Sequence, residues 1–334
     1  MRQARTENGG GFNVVIKFIK RFYLALFFLA ALGSAITTNF GGDENEMTTG
    51  GHPVKNLSGW EFIASIQTDE PICSGIILKS NSVLTTCKCG ADIIKQLWPL
   101  RTEIYIIVGT HRTDNKSIGQ WRMVDHVIKH PYCKKETIYQ KMAGYIFDYA
   151  VVKVADFVLG ANVKPIKLKT WNKRDLEFTI IEALKYSEHC EVAGWGRTVI
   201  LFPTVYEEPS PVLLQMTLKL LTYDECSNIA CRGGYNIPYC TSSVVLTGKF
   251  CAVPIGPGNS CRGDEGGPLV CDGYVLGLIS YIKSCGEYYQ PNYYARLDVG
   301  LPFIKKFVEM NSEIRTVSGF KTTILPIIVI FLTK

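Results

Sequence analysis

Asn259-Ser260-Cys261-Arg262-Gly263-Asp264-Glu265-Gly266-Gly267-Pro268-Leu269-Val270-Cys271 sets an Asp–Glu pair among three glycines, between two cysteines. Outward from this stretch the chain reads as β-rich. Short apolar runs recur at 62–67, 74–78, 82–86, 104–108, 149–154, 190–193, 212–221, 275–282 and 293–297, separated by Gly, Pro, Asn and Asp. Runs of that length and spacing predict sandwiches or barrels rather than alternating strand–helix units. One helix is expected over 301–310, where Phe303, Ile304, Phe307 and Val308 share a face and Pro302 suits a first turn. Segments 112–116 and 164–174 are polar and partly basic, and read as solvated loops.

The chain has 334 residues, 47% of them apolar, enough for a sizeable core without disulfides. With 20% charged and 11% aromatic residues it is not a largely disordered chain. Twelve cysteines point to an oxidising compartment. No Cys–His cluster has zinc-site spacing, so neither metal nor cofactor is expected. The net charge of +6 suggests nucleic acid only until its location is read. Residues 1–35 hold Arg2, Arg5, Lys17, Lys20 and Arg21 against Glu7, a net +4, so only +2 remains on the rest. That is no basic patch, and nucleic-acid binding is excluded on composition.

The same 35 residues read as a secretory signal peptide: Lys17, Lys20 and Arg21 precede an apolar run over 22–32, and Gly33-Ser34-Ala35 supplies small residues for cleavage. An acidic, propeptide-like segment follows over 36–47, then a domain over 48–311 and a tail over 312–334. The tail ends in an apolar run over 324–332, interrupted by Pro326 and too short to span a bilayer as a helix. Two readings stand: a glycolipid-anchor signal cleaved near Asn311-Ser312, or an apolar tail packed on the domain. Membrane attachment is expected only under the first.

The quoted stretch resembles the G-D-S-G-G-P active-site loop of trypsin- and chymotrypsin-like serine proteases. Val83-Leu84-Thr85-Thr86-Cys87-Lys88-Cys89 resembles V-L-T-A-A-H-C, and Asp148-Tyr149-Ala150-Val151-Val152-Lys153-Val154 resembles D-I-A-L-L-K-L. Cys190-Glu191-Val192-Ala193-Gly194-Trp195-Gly196 matches C-x-V-x-G-W-G. Gly277-Leu278-Ile279-Ser280-Tyr281 stands for G-[IV]-V-S-W, and the run from Pro291 to Leu297 resembles P-G-V-Y-T-R-V. Six motifs in the family's order imply an all-β fold of two antiparallel six-stranded barrels with a C-terminal helix, the site lying between the barrels.

The resemblance carries the chemistry of acyl transfer, in which an imidazole takes the proton of a serine, an aspartate orients the imidazole and backbone N–H groups hold the oxyanion. Asp148 matches the aspartate and Ser280 its hydroxyl neighbour. Lys88 stands at the histidine position and Glu265 at the serine position; Gly263 and Glu265 match the oxyanion donors. A lysine acts as base only if its pKa falls far below about 10.4, and two carboxylates nearby oppose that. Lys88, Asp148 and Glu265 are therefore expected to form an ion-paired plug, with Glu265 accepting N–H bonds from the oxyanion loop. His52, His111, His126, His130 and His189 fall outside the matched position. Asn259 replaces the specificity aspartate, and Ile282 and Asn292 replace pocket glycines, which narrows the pocket. Thr48-Thr49-Gly50-Gly51 stands for I-V-G-G, and no Lys or Arg occurs between Phe22 and Val54, so a trypsin-like activator has nowhere to cut.

By motif position the resemblance implies pairs Cys73–Cys89, Cys190–Cys271, Cys226–Cys251 and Cys261–Cys285. Cys231–Cys240 and Cys87–Cys133 are then the simplest remaining pairs, with Cys226–Cys231 and a free Cys87 left open. Asn56-Leu57-Ser58 and Asn115-Lys116-Ser117 are glycosylation acceptors in a secreted chain. The expected role is that of a secreted, non-catalytic homologue that binds an extracellular protein, a protease or its substrate. A divergent endopeptidase with residual hydrolysis is the competing reading.

Overall fold

The computed structural model describes residues 51–309, apart from 99, 139–140, 187, 201–205, 232–242, 257, 283–284 and 286–290. The expected leader, acidic segment and apolar tail lie outside the described residues. In chain order the first half holds β1 (His52–Pro53), β2 (Ile63–Gln67), β3 (Pro71–Lys79), β4 (Ser82–Thr85), β5 (Tyr105–Val108), β6 (Gln120–Lys129), β7 (Lys134–Ile138), β8 (Lys141–Ile146) and β9 (Ala150–Val154). Helix α1 (Cys87–Leu97) falls between β4 and β5. The second half holds α2 (Lys173–Lys185), β10 (His189–Gly194), β11 (Arg197–Ile200), β12 (Tyr206–Pro209), β13 (Leu214–Leu221), α3 (Tyr223–Cys231), α4 (Ser243–Leu246), β14 (Lys249–Pro254), β15 (Pro268–Cys271), β16 (Tyr274–Tyr281), β17 (Asn292–Arg296) and α5 (Leu297–Glu309).

Six strands close the first barrel in the order β2-β3-β4-β9-β6-β5. The second runs β13-β10-β15-β16-β17-β14 and closes by the β13–β14 pairing, with β1 added at the edge of β13. All the pairings are antiparallel. The hairpins β7–β8 and β11–β12 stand outside both barrels.

The strand runs are continuously apolar because both of their faces are covered. Side chains alternate sides along a strand. Ile77, Val83 and Val152 enter the cluster inside the first barrel with Ile66 and Ile106. Their chain neighbours Ile76, Leu84 and Val151 join the second cluster, with Val192, Leu218, Phe250, Leu278 and Tyr294. One strand thus serves a barrel core on one face and the inter-barrel layer on the other.

The helices depart most from the sequence reading. Helix α5 begins at Leu297 rather than 301, so Pro302 lies inside it rather than in its first turn. Helix α2 begins inside the segment read as a loop. Asn172 caps it, its Oδ1 accepting the N–H of Arg174 at 2.9 Å, and Leu176, Ile180, Ala183 and Leu184 form its buried face. Helix α3 starts on a reciprocal capping box: Glu225 accepts the Thr222 N–H at 2.9 Å while Thr222 Oγ1 accepts the Glu225 N–H at 3.2 Å.

Candidate active-site cleft

Helix α1 places Lys88. Its N-cap Thr86 accepts the Cys89 N–H at 3.2 Å. Gly90 lets the helix lie close against β9, since a Cβ there would stand 2.8 Å from the Ala150 methyl. Disulfide Cys73–Cys89 ties this first turn to β3, and Cys87–Cys133 ties it to the segment after β6. Asp148 comes from the turn before β9 and is 2% exposed. It accepts the backbone N–H of Lys88 at 3.0 Å and the Ser280 hydroxyl at 2.5 Å. Glu265 belongs to the loop before β15, whose carbonyl accepts the Ser74 N–H at 2.8 Å. The next residue, Gly266, has φ +87°, and a Cβ there would lie 2.1 Å from Thr85 Oγ1. Only glycine permits that approach.

The ammonium and the carboxylate at these two positions meet. Lys88 Nζ lies 2.9 Å from Glu265 Oε1, and the other oxygen, Oε2, accepts the Gly263 N–H at 2.9 Å. Burial pushes the Lys88 ammonium down, but the charges of Glu265, Asp92 and Asp148 outweigh it and the net shift is upward. Burial raises the Asp148 carboxyl against the opposing Lys249 charge and the two hydrogen bonds from Ser280 and Lys88.

The three-member ion pair expected from sequence is built differently. Lys88 reaches Asp148 through its backbone N–H. Its side chain turns to Glu265 and, at 3.7 Å, to Asp92, one helical turn on. Asp92 went unnoticed because 87–97 was not read as a helix; once it is, Lys88 and Asp92 are an i,i+4 pair. Lys249 was also missed. It is 1% exposed at the start of β14, and its Nζ donates to the Tyr145 carbonyl at 2.6 Å. The visible signal was a lysine opening the apolar run Phe250-Cys251-Ala252-Val253.

Around the specificity position, Asn292 Nδ2 donates to Asn259 Oδ1, which also accepts the Ser260 N–H at 3.0 Å. Both asparagines are buried, and two protein donors occupy the Asn259 side-chain oxygen. Ile282 is half-buried and packs on the inter-barrel cluster.

Asp264, in the same stretch, is half-buried. Its oxygens accept the Gly196 N–H at 2.8 Å and the Cys261 N–H at 2.9 Å. It forms part of the wall of a small cavity with Val192, Leu214, Met216 and Ile279. Burial, with a smaller contribution from Glu265, raises its pKa to about 7 despite those two donors.

Five disulfides are described: Cys73–Cys89, Cys87–Cys133, Cys190–Cys271, Cys226–Cys251 and Cys261–Cys285. Cys87 is therefore not free. Cys240 and the side chain of Cys231 lie outside the described residues. The histidines hold other places. His126 Nδ1 lies 3.0 Å from Asp125, His130 stacks on Phe147, and the His111 carbonyl accepts the Trp195 indole N–H at 3.2 Å. His52 and His189 are exposed strand residues. Asn56 and Asn115 sit on exposed turns, each closed by the serine N–H two residues on, at 2.9 Å. No described helix is long and apolar enough to cross a membrane, and the described residues hold no cluster fit for a metal ion.

The family profile described as Trypsin matches residues 48–304. Kallikrein 1-related peptidase b3 of Mus musculus is 27% identical over 77% of this chain and 87% of its own length. Trypsin-1 of Salmo salar is 24% identical over 82% of this chain and 94% of its own. The solved structure of neuropsin, a serine protease expressed in the limbic system of mouse brain, superposes with a TM-score of 0.56. It covers 78% of this chain and 99% of that one at 23% identity, a likeness of fold.

Proposed function

The chain belongs to the trypsin family of serine proteases, and on that premise we propose that it is a secreted, non-catalytic member that acts by binding, as cofactor, decoy or regulator of extracellular proteolysis. The observation that supports this most is the 2.9 Å pair between Lys88 and Glu265 at the positions of base and nucleophile. A lysine whose pKa is pushed up holds its proton and cannot serve as a base near neutrality. A carboxylate offers no hydroxyl from which a stable acyl-enzyme could form. Its second oxygen already takes the Gly263 N–H that an oxyanion would need. The asparagine pair at 259 and 292 removes the negative charge that would attract a basic side chain.

The retained disulfides and barrel cores are those of a scaffold kept for its surface. A partner in the extracellular space, a protease or a protease substrate, fits this role, with glycans at Asn56 and Asn115. Release from membranes by a phosphatidylinositol-specific lipase would identify the tail as an anchor signal.

A fluorophosphonate probe and a peptide-library digest of the purified protein decide between binding and hydrolysis. No labelling and no cleavage are expected. Cleavage that disappears in Glu265→Ala would establish the competing reading, a divergent endopeptidase. The double change Lys88→His, Glu265→Ser is expected to restore little activity, because Asn292, Ile282 and the missing activation site are unchanged.

A further inference from the structure

Helix α2 carries apolar residues on two faces. Leu176, Ile180, Ala183 and Leu184 are buried, and the helix packs against α5 and β13. On the other side Phe178 is 61% and Ile181 46% exposed. Three residues apart, they are neighbours on the helix surface. Tyr186, exposed at the C-cap, extends the patch. Neither local folding nor packing accounts for these side chains. Phenylalanine and isoleucine form helix less readily than the alanine, lysine or glutamate that suit a solvated face. The core contacts of the helix come from its other face. A contiguous exposed apolar patch marks a docking surface.

The charges around Phe178 point to the occupant. Arg174, Phe178 and Glu182 lie on one i, i+4 row, the ridge by which helices commonly seat against each other. The row is basic at one end, aromatic in the middle and acidic at the other, so reversed end to end it complements itself. A two-fold axis through Phe178 brings two phenyl rings together and sets Arg174 of each copy beside Glu182 of the other. Neither Arg174 nor Glu182 has an ion-pair partner among the described residues, whereas Glu177, on the flank, is held by Arg296 at 3.6 Å. An axis between Phe178 and Ile181 would instead face Arg174 with Lys185, and like charges disfavour that register.

We infer that α2 is the interface of a two-fold symmetric dimer of this chain, closed by Phe178 and Ile181 and by reciprocal Arg174–Glu182 pairs. A contact of one helix per copy falls at the small end of stable interfaces, below about 1,200 Å², so association belongs in the micromolar range. No triad position lies on this helix, and the inference holds whether or not the cleft cleaves peptide.

The test is sedimentation velocity on the full chain, expressed with its own leader, at concentrations on the order of 1 to 100 μM. A concentration-dependent dimer is expected. Phe178→Ser, Arg174→Glu and Glu182→Arg should each weaken it at least about tenfold, and the double change Arg174→Glu, Glu182→Arg should restore it to within about threefold. A thermal melt shows that each variant has folded. Restoration by the charge swap identifies a second copy as the occupant, because only there do both halves of each pair change together. A monomer throughout the range, a dimer untouched by Phe178→Ser, or single and double charge variants that weaken equally would overturn the inference. So would a monomer in which a lysine-reactive crosslinker joins Lys185 to Lys321, because the tail would then cover the face.

Discussion

Lys88 Nζ and Glu265 Oε1 stand 2.9 Å apart, but the two side chains are not equally buried: the lysine is 33% exposed and the glutamate 7%. The pair is therefore energetically one-sided. Removing the lysine leaves a carboxylate in a nearly dry site with the Gly263 N–H as its remaining described partner. Removing the glutamate leaves an ammonium that water and Asp92 still reach.

Lys88→Ala should therefore cost about 3 kcal/mol, as breaking a buried pair does. Glu265→Ala should cost about 1 kcal/mol, as for a partly solvated pair. Urea denaturation at neutral pH measures both, and equal losses would show that solvent reaches Glu265 as freely as Lys88.

Asp264 gives the fold a pH signature. Its carboxyl keeps its proton to about pH 7 in the folded state, against 3.8 in an unperturbed chain. Between those values folding takes up a proton, so this group's contribution is complete below pH 3.8 and is lost as pH rises through 7. The raised Asp148 carboxyl acts in the same direction. His130 opposes it: its lowered pKa means stability present above the unfolded value near 6.5 and lost as pH falls. The difference between wild type and Asp264→Asn isolates the one group. The variant should lose part of the decline in melting temperature between about pH 4 and 7, and an unchanged slope would place the titration elsewhere.

Most of the barrel strands were legible because each combines a short apolar run with glycine, proline or asparagine at its ends. β6, β14 and β15 were not: only Val124 of the ten residues of β6 is fully buried, so its pattern carries almost no alternation, β14 opens on a lysine, and β15 is four residues long. Helix α1 was hidden by the cysteines at 87 and 89, and with it Asp92. Helices α2 and α3 had readable signals in Asn172 and in Thr222-x-x-Glu225. At the site, the family resemblance brought Lys88, Asp148 and Glu265 together, but which carboxylate the ammonium meets depends on side-chain geometry that the matched motifs do not encode. Lys249 pairs with a carbonyl 104 residues away, a contact that only the packing of the β7–β8 hairpin against the second barrel creates.

Disulfide Cys87–Cys133 closes 46 residues of chain and immediately precedes Lys88. The double change Cys87→Ala, Cys133→Ala should lower stability by about 2–4 kcal/mol, the range for a loop of this size. The unreduced wild-type protein should show no thiol at either position by mass-spectrometric labelling. Labelling of Cys87 without denaturant would contradict the bond. The variant should retain the first barrel, because neither cysteine contributes to its strand pairing.

Lys249 is the cation that acts most strongly on Asp148. The lysine is buried and donates to Tyr145, and its charge opposes the burial that would otherwise drive the carboxyl towards its protonated form. Removing either charge alone leaves the other buried with poorer compensation, whereas removing both removes the conflict. Lys249→Met should therefore cost about 3 kcal/mol and Asp148→Asn a comparable amount. The double variant should cost clearly less than the two together, with a coupling of about 1–3 kcal/mol. Chemical denaturation of the four proteins, wild type included, completes the cycle. Strict additivity would show that Lys249 serves only the Tyr145 carbonyl. A coupling of the expected sign would mean that the aspartate is retained here as half of an internal charge pair, which selection for folding alone can maintain.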